Sequence, residues 1–193
     1  MILASASPRR IDILHQVGLS PTVSPQDVDE TPLPDEHPTA LVERLSRAKA
    51  RACVEATATD ELVIAADTIV WDEDGDVLGK PADPEEARTM LRTLSGRTHH
   101  VSTGVCLLAG DVERSFVETT DVTFLELTDD QIDAYVATGD PLDKAGAYGY
   151  QSLGCTLVEG IRGDYYNVVG LPIGRLMREL ELLGHQDEGA IHG

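Results

Sequence analysis

Paired cysteines, basic charge and long apolar runs are all scarce in this 193-residue chain, and each shortage removes a class of protein. The three cysteines, Cys53, Cys106 and Cys155, stand apart with no CxxC pair. That argues against a disulfide framework or a zinc knuckle and fits a reducing, cytoplasmic setting. Lys and Arg number 15 against 34 Asp and Glu, a formal net charge of −19. A uniform nucleic-acid-binding surface is therefore not expected, and any phosphate site must gather its few cations in one place. No run is long and apolar enough to span a bilayer, and the first residues lack the pattern of a secretory signal, so no membrane association is expected. No internal repeat or low-complexity linker divides the chain. A hydrophobic content of 41% supports a sizeable core. The expectation is one domain of two lobes over 1–184 and a polar, disordered tail over 185–193.

What is present is a succession of short elements separated by distinctive polar stretches. Ile2-Leu3-Ala4 reads as a strand. Ser5-Ala6-Ser7-Pro8-Arg9-Arg10 follows at once, ahead of an amphipathic helix bearing Ile13, Leu14 and Val17. Free amides at a helix start, small hydroxyls and two guanidinium groups are the donors that a phosphate takes. The same residues also read as an ordinary helix start, with Ser7 as cap, Pro8 in the first position and both arginines solvated. Val23-Ser24-Pro25 with Val28 reads as a short strand. Asp29-Glu30-Thr31 then opens a loop whose adjacent carboxylates either hold a metal or are simply solvated. Thr39 to Ala56 reads as a helix with Leu41, Leu45, Ala48 and Ala52 on one stripe. Lys49 lies at the edge of that stripe, placed to snorkel or to enter a cleft.

Leu62 to Trp71 is the most apolar run and reads as a buried central strand, yet Asp67 interrupts it. A buried carboxylate is costly unless it is paired, metal-bound or at a cleft, which makes Asp67 a functional candidate. Asp72 to Asp76 reads as a hairpin turn, and Gly79-Lys80-Pro81 follows. Asp83-Pro84-Glu85-Glu86 starts a helix, and Ser95-Gly96-Arg97-Thr98-His99 forms a polar turn after it. Thr98 to Leu108 and Val112 to Leu127 read as paired strands, and Thr128 to Gln131 as a capping box. Gly139 to Ser152 is too rich in glycine for a helix and carries Asp143, Lys144 and Gln151. Gly154 to Ile161 reads as a further strand, and the last helix turns Ile173, Leu176, Met177, Leu180 and Leu183 inward.

Taken in order, five of these stretches resemble the motifs of the Maf family of nucleoside triphosphate pyrophosphatases. They are Ser5 to Arg10, Ala65-Ala66-Asp67-Thr68-Ile69-Val70, Gly79-Lys80-Pro81, Ser95 to His99, and Asp143-Lys144-Ala145-Gly146-Ala147-Tyr148-Gly149. Gly170-Leu171-Pro172 also fits. The resemblance implies an α/β fold in which a mixed, strongly twisted central sheet carries flanking helices in two lobes around a deep cleft. It implies hydrolysis of a nucleoside triphosphate between the α and β phosphates, with a divalent metal, Mg²⁺ or Mn²⁺, and a homodimer.

On that pattern Asp67 is the proton acceptor, Glu30 and Asp67 are the metal ligands with Asp29 less favoured, and Lys80 and Glu30 join Asp67 as catalytic residues. Ser7, Arg9, Arg10, Lys49, Thr68, Arg97, His99, Asp143, Lys144 and Gln151 are the substrate-binding candidates. The chain is most similar to the branch that hydrolyses dTTP and UTP, where the positions of Arg9, Thr68 and Gln151 bear on the base. An amide such as Gln151 offers both a donor and an acceptor to a uracil or thymine edge. The chain departs from the pattern at Asp140, where glutamate is usual, at Tyr150, where an aliphatic residue is usual, and at Ser152, where glycine is frequent. Two other functions remain open at this point: a regulatory nucleotide-binding factor in septum formation, and a pyrophosphatase for 7-methyl-GTP.

Overall fold

A computed structural model describes residues 1–189. The elements in chain order are β1 (Ile2–Leu3), α1 (Pro8–Gln16), β2 (Thr22–Val23), α2 (Pro38–Thr57), β3 (Val63–Trp71), β4 (Val77–Leu78), α3 (Pro84–Leu94), β5 (Thr98–Ala109), β6 (Val112–Phe124), α4 (Asp129–Val136), β7 (Val158–Arg162), α5 (Tyr165–Val169) and α6 (Ile173–Gly189). One sheet runs β2-β1-β3-β5-β6-β7, with β4 alongside β3. β1 is parallel to both β2 and β3, and the other pairings are antiparallel. This is the mixed sheet with flanking helices that the resemblance implied.

Successive side chains of a strand point to opposite faces, and β3 uses both. Ile64 and Ala66 pack with Leu14 of α1, Leu176 of α6 and Leu171 just before α6. Farther along the same face, Val70 joins a second core built from Leu91 of α3, Ile132 of α4, Phe124 and Tyr148. Thr68 stands between these two cores, at the gap that separates the lobes. The opposite face is covered by α2: Ala50 and Cys53 lie on Val63 and Ala65, while Leu41, Val42 and Leu45 lie on Ile69. Asp67 belongs to this α2 face.

The close approach of α2 depends on Gly104, which pairs with Asp67 across the β3–β5 ladder. A Cβ at Gly104 would collide with the backbone carbonyl of Val42. With no side chain there, the helix settles onto the sheet and Lys49 comes within reach of Asp67.

The expected helix starts at Asp83 and Thr128 are present. Asp83 Oδ1 accepts from the amides of Glu85 and Glu86, and Thr128 with Gln131 forms a reciprocal capping box. Three expectations change. The buried stripe of α2 is Leu41, Val42, Leu45, Ser46, Ala50 and Cys53, rotated from the one expected through Ala48 and Ala52. The strand expected from Gly154 begins only at Val158, because Leu153–Leu157 winds into a 3₁₀ turn against the loop before it. Finally, α6 continues to Gly189, into the stretch expected as a polar tail. The rest of that tail lies outside the described residues.

Candidate active site

β1 ends at Leu3, paired with Ile64, and β4 pairs with β3 only at Val70 and Trp71. Between them the edge of β3 from Ala65 to Ile69 has no neighbouring strand among the described residues. The Ser5–Arg10 junction turns away at this opening, and a cavity of about 470 Å³ lies there. Ser7, Arg9, Arg10, Thr68 and Lys80 line one part of it, and Asp143, Lys144, Tyr148, Tyr150, Gln151 and Ser152 line the other.

Ser7 is the cap residue of α1, but its side chain makes no capping hydrogen bond. Pro8 has no amide hydrogen, and by helix geometry the amides of Arg9 and Arg10 have no intrahelical acceptor. The Ser7 hydroxyl and these amides are thus available to an anion.

Arg10 plays a different part. Its Nε donates to Gly170 O at 2.8 Å, and its two terminal nitrogens donate to Ser5 Oγ and Thr68 Oγ1, each at 2.9 Å. Burial lowers the Arg10 pKa, while Asp67 raises it, with Glu30 acting the same way. The guanidinium therefore ties α1, β3 and the Gly170 turn into a fixed wall.

Arg9, Arg10, Lys80, Arg97 and Arg178 are the basic side chains with no carboxylate partner among the described residues. The remaining Lys and Arg residues are engaged in ion pairs. In a protein of net charge −19, three of those five unpaired cations line one cavity. The clustering required by the composition is present.

A second cluster lies at the same strand edge. Lys49 Nζ reaches Asp67 Oδ1 at 2.5 Å and Glu30 Oε1 at 2.6 Å, so two carboxylates converge on one ammonium. Asp67 is only 7% exposed. The loop bearing Glu30 is held to α2 by Arg44, which donates to both oxygens of Glu36 and to Thr31 O. That pairing draws the Glu36 carboxyl down to about 2. Asp29 instead caps its own loop, accepting from the Thr31 amide at 2.9 Å. No group of three or more metal-ligating side chains occurs among the described residues.

Two residues expected at the substrate lie elsewhere. Arg97 is exposed in a separate open groove with Glu126 and Glu159. It follows the α3 turn, and there its side chain faces this outer groove and not the cavity. His99 is fully buried. Its Nε2 meets Tyr148 Oη at 2.8 Å, and its ring packs edge-on against Phe124. Burial draws its pKa down to about 4, so it is a neutral support behind Tyr148 rather than a substrate ligand.

Lys144 lines the cavity, but its ammonium is engaged by Asp143 Oδ1 at 2.7 Å and by Asp140. Sequence reasoning did not identify Asp140 as an organiser, nor Tyr148 as a wall. Tyr148 lies within a quoted motif, but nothing in its spacing shows which way its ring points. Burial acts to raise the Asp140 pKa. The hydrogen bonds from Ser152, Tyr135 and Lys144 outweigh it and hold the carboxyl below its ordinary value.

An α/β protein whose unpaired cations meet a helix start in one cavity, beside two converging carboxylates, is constructed to take a polyanion. The Maf-like protein family profile matches residues 1–183, and the chain belongs to that family. It is 51% identical over 185 residues to a dTTP/UTP pyrophosphatase of Symbiobacterium thermophilum, a match spanning 96% of this chain and 94% of the relative. It is 53% identical over 186 residues to a dTTP/UTP pyrophosphatase of Moorella thermoacetica, spanning 95% of each. Among solved structures, a nucleoside-triphosphatase / dITP/XTP pyrophosphatase from Mycobacterium abscessus aligns with 98% of this chain and 96% of its own, at 14% identity and a TM-score of 0.47.

Proposed function

We propose that this protein hydrolyses dTTP and UTP to the nucleoside monophosphate and pyrophosphate. The observation that carries the reading is the gathering of Arg9, Arg10 and Lys80 in one cavity of a strongly acidic chain, at the strand edge that also bears Asp67. Relatives that share about half their residues with this chain carry the corresponding name.

In this reading the triphosphate lies over the start of α1. The Ser7 hydroxyl, the first amides of α1, Arg9 and Lys80 receive its charge, and they are worth most as that charge develops on the leaving pyrophosphate. A water attacks the α phosphorus, the bond from it to the bridging oxygen breaks, and the water's proton passes to an Asp67 oxygen. Arg10 holds Thr68 and the α1 junction in place. Gln151 presents its amide to the uracil or thymine edge, and Tyr148 and Tyr150 enclose it.

Glu30 and Asp67 fit a divalent metal. Mg²⁺ takes one or two carboxylates and completes its shell with phosphate oxygens and waters, so a two-carboxylate donor set is sufficient. When bound, such an ion would neutralise phosphate charge and lower the pKa of a bound water. Lys49 balances the two carboxylates here. A cytoplasmic setting and a homodimer are part of the same proposal. The buried, unpaired Cys53 and Cys106 agree with the first, and light scattering would test the second.

The test is a panel of dTTP, UTP, CTP, GTP and 7-methyl-GTP with Mg²⁺ or Mn²⁺, read by pyrophosphate release. Turnover of dTTP and UTP is expected. Turnover confined to 7-methyl-GTP would overturn the role given to Gln151. Binding without turnover of any nucleotide would support a regulatory factor instead.

A further inference from the structure

We infer that Asp140, which does not line the cavity, is the positioning residue that sets the base-reading loop. Three side chains converge on its carboxylate. Tyr135 Oη, from α4, donates to Asp140 Oδ2 at 2.7 Å. Ser152 Oγ, from the far end of the loop, donates to the same oxygen at 2.6 Å. Lys144 Nζ, from the middle of the loop, donates to Oδ1 at 3.1 Å and to the Asp140 carbonyl at 2.6 Å. One carboxylate thus fixes the loop at both ends and at its centre.

Two of these partners, Ser152 and Lys144, themselves line the cavity. Ser152 follows Gln151, and Lys144 stands between Asp143 and Ala145. The knot also leaves no spare room. A Cβ on Gly149 would come within 2.6 Å of Lys144 Cε and 2.8 Å of Ser152 Oγ, and one on Gly154 within 2.8 Å of Tyr135 Oη. A side chain at Gly149 would press on the donors from Lys144 and Ser152, and one at Gly154 would strike the Gly149 backbone as well as Tyr135. The loop is in turn joined to the Lys80 segment by the Gly146 amide, which donates to Gly79 O at 3.1 Å. Charge-assisted hydrogen bonds are among the stronger ones available. Their convergence on Asp140 makes the pose of Gln151 a consequence of that side chain.

Rigidity of this loop lowers the cost of ordering it around a nucleotide, which belongs to binding rather than to the chemical step. Loss of the anchor therefore raises KM more than it lowers kcat. The kinetic arm rests on the pyrophosphatase reading, and the structural arm does not.

The experiment compares the wild-type protein with Asp140→Asn, Asp140→Ala and the milder Ser152→Ala, after equal folding is established by circular dichroism. Amide hydrogen exchange and dTTP kinetics are measured on each. In both Asp140 variants the amides of 142–152 exchange faster, while those of β3 and β5 are unchanged. KM for dTTP rises roughly tenfold, with kcat within about threefold, and the preference for dTTP over CTP narrows. Ser152→Ala moves the same quantities less.

Unchanged exchange in the loop overturns the inference, as does faster exchange with an unchanged KM or a fall confined to kcat. If the wild-type protein turns over no triphosphate, the pyrophosphatase reading fails instead. Exchange, with dTTP affinity by calorimetry in place of KM, then decides the role of Asp140.

Discussion

Arg9 and Lys80 line the cavity with no ion-pair partner among the described residues and, unlike Arg10, are not tied into its wall. Arg9→Ala and Lys80→Ala should each lower kcat/KM for dTTP by roughly 10²- to 10³-fold, the scale of a lost donor to developing charge. Arg97→Ala, in the outer groove, should change it less than about twofold. Steady-state kinetics with pyrophosphate detection makes the comparison. His99 carries a second prediction. Unfolded, it takes up a proton near its ordinary 6.5, while the folded protein resists until about pH 4. The unfolded state therefore binds more protons across that window, and the stability His99 confers is present above pH 6.5 and is lost as the pH falls toward 4. Urea midpoints at several pH values should decline over this range, and His99→Gln should flatten the slope.

At the scale of elements, α2 and β3 do most to place the chemistry, and Gly104 lets them meet. Gly104→Ala must either lift α2 or distort β5. A loss of about 1–3 kcal/mol is expected, as for other overpacked core sites, together with a large loss of turnover as Lys49 withdraws from Asp67. Urea denaturation and dTTP hydrolysis on the same preparation would measure both. The long elements were legible in the sequence because each carries a local signal. β5 and β6 alternate, α3 and α4 announce their caps, and β3 is a continuous apolar run broken by one carboxylate. The 3₁₀ turn at Leu153–Leu157 was not legible. It packs where Gly149, Gly154 and Tyr135 come together, an approach that exists only in the folded chain. The stripe of α2 was misplaced for a related reason, since the rotation of a helix rich in alanine is decided by what it packs on, here Gly104 and β3.

At the scale of the molecule, one sheet serves two sites from its two faces. Thr68 turns to the cavity between the lobes and Asp67 to the α2 face, and both lie on the stretch of β3 whose edge has no neighbouring strand among the described residues. The motif quoting both residues made each a candidate, but strand alternation alone sets neighbours on opposite faces and does not show that they share an open edge. Eight of the expected substrate-binding and catalytic residues line the cavity: Ser7, Arg9, Arg10, Thr68, Lys80, Asp143, Lys144 and Gln151. Asp67, Glu30 and Lys49 form their own cluster outside its lining, and Arg97 and His99 belong to neither group, because a polar turn after a helix looks alike whether it faces a ligand, the solvent or the core.

The central claim is attack by water at the α phosphorus, with Asp67 as proton acceptor. Hydrolysis of dTTP in ¹⁸O-labelled water, followed by mass spectrometry of both products, tests it most directly. The account predicts one labelled oxygen in dTMP, none in pyrophosphate, and at least about a hundredfold slower release with Asp67→Asn, the scale of a lost general base. Label in the pyrophosphate, or an undiminished rate in Asp67→Asn, would contradict it.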